Sequence, residues 1–111
     1  MISSHVLDTA RGVPAAGVPV LLERLEPDEI HQISRARTDG DGRVRELVST
    51  GTAPGVGRYR LTFDTGSYFA TLGVEAFYPS VAIVFEIRDV TQHYHVPLLL
   101  SPYGYSTYRG S

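Results

Sequence analysis

Turn signals recur so closely along this chain that only short elements fit between them. They fall at Thr9-Ala10-Arg11-Gly12, at the charged loop Glu26-Pro27-Asp28-Glu29, at Asp39-Gly40-Asp41-Gly42, at Pro54-Gly55-Val56-Gly57 and at Ser101-Pro102-Tyr103-Gly104. Glycine takes positive φ at no steric cost and proline fixes its own φ, so each cluster ends what precedes it. The intervening runs alternate, or are dense in β-branched and aromatic residues. They predict strands at Ile2–Leu7, Val18–Leu25, Ile30–Thr38, Val44–Val48, Arg58–Phe63, Val81–Ile87, His93–Leu100 and Tyr103–Tyr108. Arg58–Phe63 is the clearest, with Tyr59, Leu61 and Phe63 on one face. Pro19 sits near the start of its run, where a missing N–H is tolerated, and Ile30–Thr38 has an edge-like pattern. One stretch departs from this rhythm. Tyr68, Phe69 and Leu72 have helical spacing, Asp64 or Thr65 can cap the start and Gly73 the end, so Ser67–Leu72 is expected to be a helix of about two turns. About eight short strands with one short helix imply an all-β fold, a two-sheet β-sandwich.

With 111 residues the chain is expected to be one domain spanning 1–111, long enough to bury a core without covalent staples. It has no cysteine, which excludes disulfides and thiolate metal sites. Net charge is −2, and all ten basic residues are arginines scattered along the chain. No basic block marks a nucleic-acid or anionic-membrane surface, and no apolar run approaches the length that spans a bilayer. Met1-Ile2-Ser3-Ser4-His5 lacks the basic head and apolar run of a signal peptide, so a soluble, cytoplasmic protein is expected.

Few residues are candidates for chemistry. In a strand, His93 and His95 point the same way, as a metal pair, as a general base with a neighbour, or as hydrogen-bonded surface residues. A His-x-His pair alone is a weak metal signal, because zinc needs further ligands. His5, in the first strand, is either an imidazole suited to proton transfer or a partly exposed strand residue. Arg43 follows a turn; it either stabilises an oxyanion or a planar polar substrate, or pairs with Asp39 or Asp41 in solvent. Tyr103, Tyr105 and Tyr108 are candidate core or interface anchors. The strand pattern running up to Ser111 argues that the terminal residue is held in place. There is no glycine-rich phosphate loop and no Gly-x-Ser-x-Gly nucleophile elbow.

Three segments carry a resemblance. They are Ser4-His5-Val6-Leu7-Asp8-Thr9 through Gly12, Pro14-Ala15-Ala16 and Val18; Thr38-Asp39-Gly40-Asp41-Gly42-Arg43; and Tyr94-His95-Val96-Pro97-Leu98-Leu99-Leu100-Ser101-Pro102-Tyr103-Gly104-Tyr105-Ser106-Thr107-Tyr108-Arg109-Gly110-Ser111. On these the sequence resembles the transthyretin family, and within it the 5-hydroxyisourate hydrolases, across essentially the whole chain. The ending Tyr-Arg-Gly-Ser is the most specific part. Hormone-carrying transthyretins lack equivalents of His5, Arg43 and His95 and continue past the terminal tetrapeptide.

The resemblance implies a transthyretin-like β-sandwich assembled as a homotetramer, a dimer of dimers with active sites in a central channel. It also implies hydrolysis of 5-hydroxyisourate in urate degradation without metal or cofactor. His5 and His95 would supply base and proton-relay roles, and Arg43 would orient substrate and stabilise negative charge. Tyr108 would contact substrate, and Ser111 would hold or tune the histidines. Competing expectations are a carrier of a small aromatic ligand, a zinc protein using His93 and His95, and a purely structural sandwich.

Overall fold

Alternation over residues 58–63 places Tyr59, Leu61 and Phe63 wholly out of solvent, and the rest of the fold is built around that buried stripe. The computed structural model describes residues 2–48 and 55–111. The strands are β1 (Ile2–Asp8), β2 (Val13–Pro14), β3 (Pro19–Leu25), β4 (Ile30–Arg37), β5 (Arg43–Val44), β6 (Gly57–Phe63), β7 (Val81–Ile87), β8 (Tyr94–Ser101) and β9 (Gly104–Thr107), with helix α1 (Thr65–Thr71) between β6 and β7. One sheet runs β4-β3-β6-β7, all antiparallel. The other is five-stranded, with order β2-β1-β8-β9 and β5 also paired to β1. At its centre β1 and β8 are parallel over seven residue pairs, from Ile2 opposite Tyr94 to Asp8 opposite Leu100.

The sandwich core forms where the two inner faces meet. Ile2 and Val6 come from β1, Leu98 and Leu100 from β8, Val20 and Leu22 from β3, and Tyr59, Leu61 and Phe63 from β6. Period-2 alternation turns Ser3, His5 and Leu7 of β1, and their register partners His95, Pro97 and Leu99 of β8, to the opposite face. Leu98 is completely buried at the centre of this core. Leu98→Ala is expected to lower stability by about 2–5 kcal/mol, seen as a lower denaturant midpoint at unchanged slope.

Helix α1 starts two residues earlier than the spacing predicted, because the Asp64 carboxylate accepts from the Ser67 backbone N–H and so caps a turn beginning at Thr65. Gly73, at φ 67°, ends it as expected. The helix is tied to the end of β1 by the Tyr68 hydroxyl, which donates to Asp8 Oδ2 at 2.8 Å.

The expected strand Val44–Val48 is reduced to Arg43–Val44. Val44, Leu47 and Val48 are all buried, and no extended segment can bury positions of both parities on one face. The backbone therefore bends after Val44, and Leu47 N–H donates to the Ile2 carbonyl at 2.9 Å. The expected strand Tyr103–Tyr108 is shorter, since Pro102 and Tyr103 form the two-residue connection between paired Ser101 and Gly104. Tyr103, Tyr105 and Tyr108 are exposed, so none is a core residue of the single chain. The short strand β2 carried no sequence signal, and the expected turn at Pro54–Gly57 begins outside the described residues. Ile30–Thr38 does form an edge strand, β4.

Candidate active site

The turn at residues 39–43 folds around one carboxylate. Asp39 Oδ1 accepts from the backbone N–H groups of Asp41 and Arg43, both at 2.9 Å, and the Arg43 N–H in particular holds the Asp39 carboxyl below its usual value. Gly42 takes φ 75°, and a Cβ there would run into the Val6 carbonyl oxygen. The turn thus delivers Arg43 opposite His5 in the β1–β5 pair. It also presents the Asp41 carbonyl to His5 Nε2 at 2.8 Å. A carbonyl can only accept, so Nε2 carries the proton and Nδ1 is the nitrogen left for other work. Asp39 and Asp41 have Arg45 as their ion-pair partner among the described residues, at 3.9 and 3.7 Å, in place of the Arg43 pairing that local sequence suggested.

His95 is half-buried on the outer face of β8. Its Nδ1 lies 2.7 Å from Ser3 Oγ, and the same hydroxyl lies 2.8 Å from His93 Nε2. The two histidines therefore do face the same way, but toward a shared serine. Among the described residues no cluster of three or more His, Cys, Asp or Glu is placed to hold a metal ion. Burial pushes the His95 imidazole below its ordinary 6.5, and the Arg43 guanidinium and the rings of His5 and His93 push it the same way.

The tail completes the site. Arg109 lies over the Tyr94 ring at 4.5 Å and donates to Gln92 Oε1 at 2.9 Å. The Gly110 N–H donates to the His95 carbonyl at 2.9 Å. These anchors place Ser111 in a cleft of about 240 Å³ lined by Ser3, Ser4, Arg43, Val44, Arg45, His93, His95 and Ser111. Of the residues singled out from sequence, Arg43, His95 and Ser111 line one cleft and His5 adjoins it through Arg43. Tyr108 is 59% exposed and lies outside that lining. Ser3 was missed as a functional candidate. Its only signal is the parallel register with His95, which no local pattern contains.

This arrangement can take a proton at His95 and stabilise negative charge at Arg43, on a cleft open to a polar ligand. Because the folded-state pKa of His95 is depressed, the unfolded chain binds the proton more readily. The stability from a neutral His95 is therefore whole above pH 6.5 and falls away as pH drops toward the lower folded value. If His95 acts as the base, the acid limb of kcat/KM is expected to have its midpoint below 6.5, measured as turnover against pH.

The family model described as HIUase/Transthyretin family matches residues 2–110. The chain is 50% identical over 114 aligned positions to 5-hydroxyisourate hydrolase 2 of Rhizobium meliloti (strain 1021), covering 99% of this chain and 95% of that protein. Among solved structures, Klebsiella pneumoniae 5-hydroxyisourate hydrolase superposes with a TM-score of 0.86 at 39% identity, covering 99% of this chain and 98% of the other. Sea bream transthyretin in complex with thyroxine superposes with a TM-score of 0.90 at 31% identity, covering 98% and 93%. With the match running through both sheets as far as residue 110, the chain belongs to the HIUase/transthyretin family.

Proposed function

We propose that this chain is a 5-hydroxyisourate hydrolase, opening the six-membered ring of its substrate to 2-oxo-4-hydroxy-4-carboxy-5-ureidoimidazoline in urate degradation. The observation that carries the reading is the meeting of Arg43, His95 and Ser111 in one cleft beside His5, in a chain half identical to a named hydrolase. Water gives its oxygen to the ring carbonyl carbon and a proton to His95. The ring carbon–nitrogen bond then breaks, a proton is returned to the departing nitrogen, and the new acid ionises. Arg43 offsets the negative charge that gathers on the carbonyl oxygen as its carbon becomes tetrahedral. His5, its Nε2–H bound to Asp41, offers Nδ1 toward substrate or water. Ser111 orients the histidines, and Tyr108 contacts substrate and narrows the channel.

The same reading includes a homotetramer built as a dimer of dimers. Both sheets end in edge strands, β7 and β9, on which Val84 and Tyr105 are exposed, and an unpaired edge favours a second copy of the same strand. Light scattering of the purified chain is expected to give four times the monomer mass. The proposed location is the cytoplasm, which cell fractionation checks.

A carrier of a small aromatic ligand is the second reading, favoured by the close superposition on thyroxine-bound transthyretin. Ultraviolet absorbance of 5-hydroxyisourate generated in place from urate separates the two. Decay faster than the spontaneous rate supports the hydrolase; an unchanged rate with ligand bound supports the carrier.

A further inference from the structure

We infer that Ser3 and His93 form a positioning arm behind His95, fixing which of its ring nitrogens carries the proton and passing protons between that ring and solvent. The inference rests on the hydrolase reading.

One hydroxyl sits between two imidazole nitrogens, at 2.7 Å from His95 Nδ1 and 2.8 Å from His93 Nε2. A serine hydroxyl has a single proton to donate, so it donates to one ring and accepts from the other. When Ser3 donates to His93, His95 Nδ1–H donates to Ser3, and His95 Nε2 is bare. That is the state in which His95 can take a proton. When Ser3 donates to His95 Nδ1, His93 Nε2–H donates to Ser3, and the proton of neutral His95 is on Nε2. That is the state in which His95 can give one.

The arm connects these states with protons conserved. His95 Nε2 takes a proton from water, its Nδ1 proton moves to Ser3 Oγ, and the Ser3 proton moves to His93 Nε2. His93, now cationic, is exposed and releases a proton from Nδ1 to solvent. Ser3 is 7% exposed and is held in register opposite His95 by the parallel β1–β8 pairing, so the hydroxyl cannot easily swing away. The charged and titratable groups around His95 are Arg43 from β5, His5 from β1 and His93 just before β8, with Arg45 and Ser111 also lining the cleft. Burial, and then the cations among them, make it costly for His95 to keep a proton, which gives a path to His93 a purpose.

The test uses Ser3→Ala, Ser3→Thr and His93→Ala in the full chain. Ser3→Ala and His93→Ala are expected to lower kcat on the order of 10-fold with KM little changed, as for other groups that orient a working imidazole. Ser3→Thr is expected to keep most of the rate, and free imidazole in the buffer should restore His93→Ala but not Ser3→Ala. Independently of activity, nitrogen-15 spectra of the His95 ring should show the Nδ1–H form favoured in the wild type and lost in Ser3→Ala. Unchanged His95 shifts in Ser3→Ala, or unchanged kcat in both alanine variants while the wild type accelerates decay, overturns the arm and leaves the hydrolase reading intact. A wild type that fails to accelerate decay overturns the hydrolase reading and, with it, the catalytic purpose of the arm.

Discussion

Replacing His95 with alanine is expected to lower 5-hydroxyisourate turnover by about 10²- to 10⁴-fold, the usual contribution of a positioned base. His95 is the residue on which Ser3, the Gly110 backbone and the Ser111-lined cleft converge. Its lowered pKa favours the neutral ring, which is able to accept a proton. His95 is half-buried on the outer face, while the core is held by Leu98 and Leu100 beside it on the inner face. The denaturation midpoint should therefore move little. Arg43→Ala is expected to cost about 10²- to 10³-fold by removing a charge aimed at the developing oxyanion, and His5→Ala should also fall sharply. Rates are read as absorbance loss above spontaneous decay. Near-normal rates in all three variants would dismiss the site.

Gly110→Ala is expected to lower kcat by about 10²-fold, the scale of a misplacement near 1 Å. Nothing about its side-chain chemistry changes. A Cβ at residue 110 would lie 2.5 Å from Cδ2 of His95, 3.2 Å from its Cγ and 3.3 Å from Pro97 Cγ. A real Cβ does not come within 2.5 Å of another carbon, so either the imidazole turns or the tail lifts. The fold can accommodate both, since the tail is held from the surface, by one backbone hydrogen bond from Gly110 and by the Arg109 contacts with Tyr94 and Gln92. The site can accommodate neither, because His95 loses its angle to Ser3 or Ser111 leaves the cleft. Kinetics combined with thermal unfolding check this: a large loss of rate with a small change in midpoint is expected. A rate within twofold of wild type would mean that the contact carries no catalytic weight.

Local patterns in the sequence revealed most of the sandwich. Alternation at Tyr59, Leu61 and Phe63 identified the inner face of β6, and Asp64 and Gly73 bracketed the helix. They failed where burial is not periodic, as at Val44, Leu47 and Val48, and at the two-residue strand β2. The cleft was legible only in part. His5, Arg43, His95 and Ser111 stand out by type and by resemblance, but Ser3 is an ordinary serine until a strand some ninety positions away is laid beside it. Fold likeness alone would not have decided the chemistry either. The chain superposes slightly better on a thyroxine-bound transthyretin than on a hydrolase to which it is more similar in sequence. Under the proposed hydrolase reading the distinction lies in a few polar side chains on one face of one sheet.

The parallel pairing of β1 with β8 also governs when the protein can come into being. Ser3 and His95 are 92 positions apart, so the central pair of the five-stranded sheet cannot form on a ribosome until nearly all the described chain has emerged. Until then β1 has, among the described residues, only β2 and β5 to pair with, across two residue pairs each. A long loop must close before its contacts stabilise anything, which makes such a topology slow to fold and leaves an apolar strand open to wrong partners while it waits. A nascent chain released before β8 would carry His5 and Arg43 yet have no second wall to its cleft. The two-walled cleft and the completed fold therefore arrive together, in the same late event.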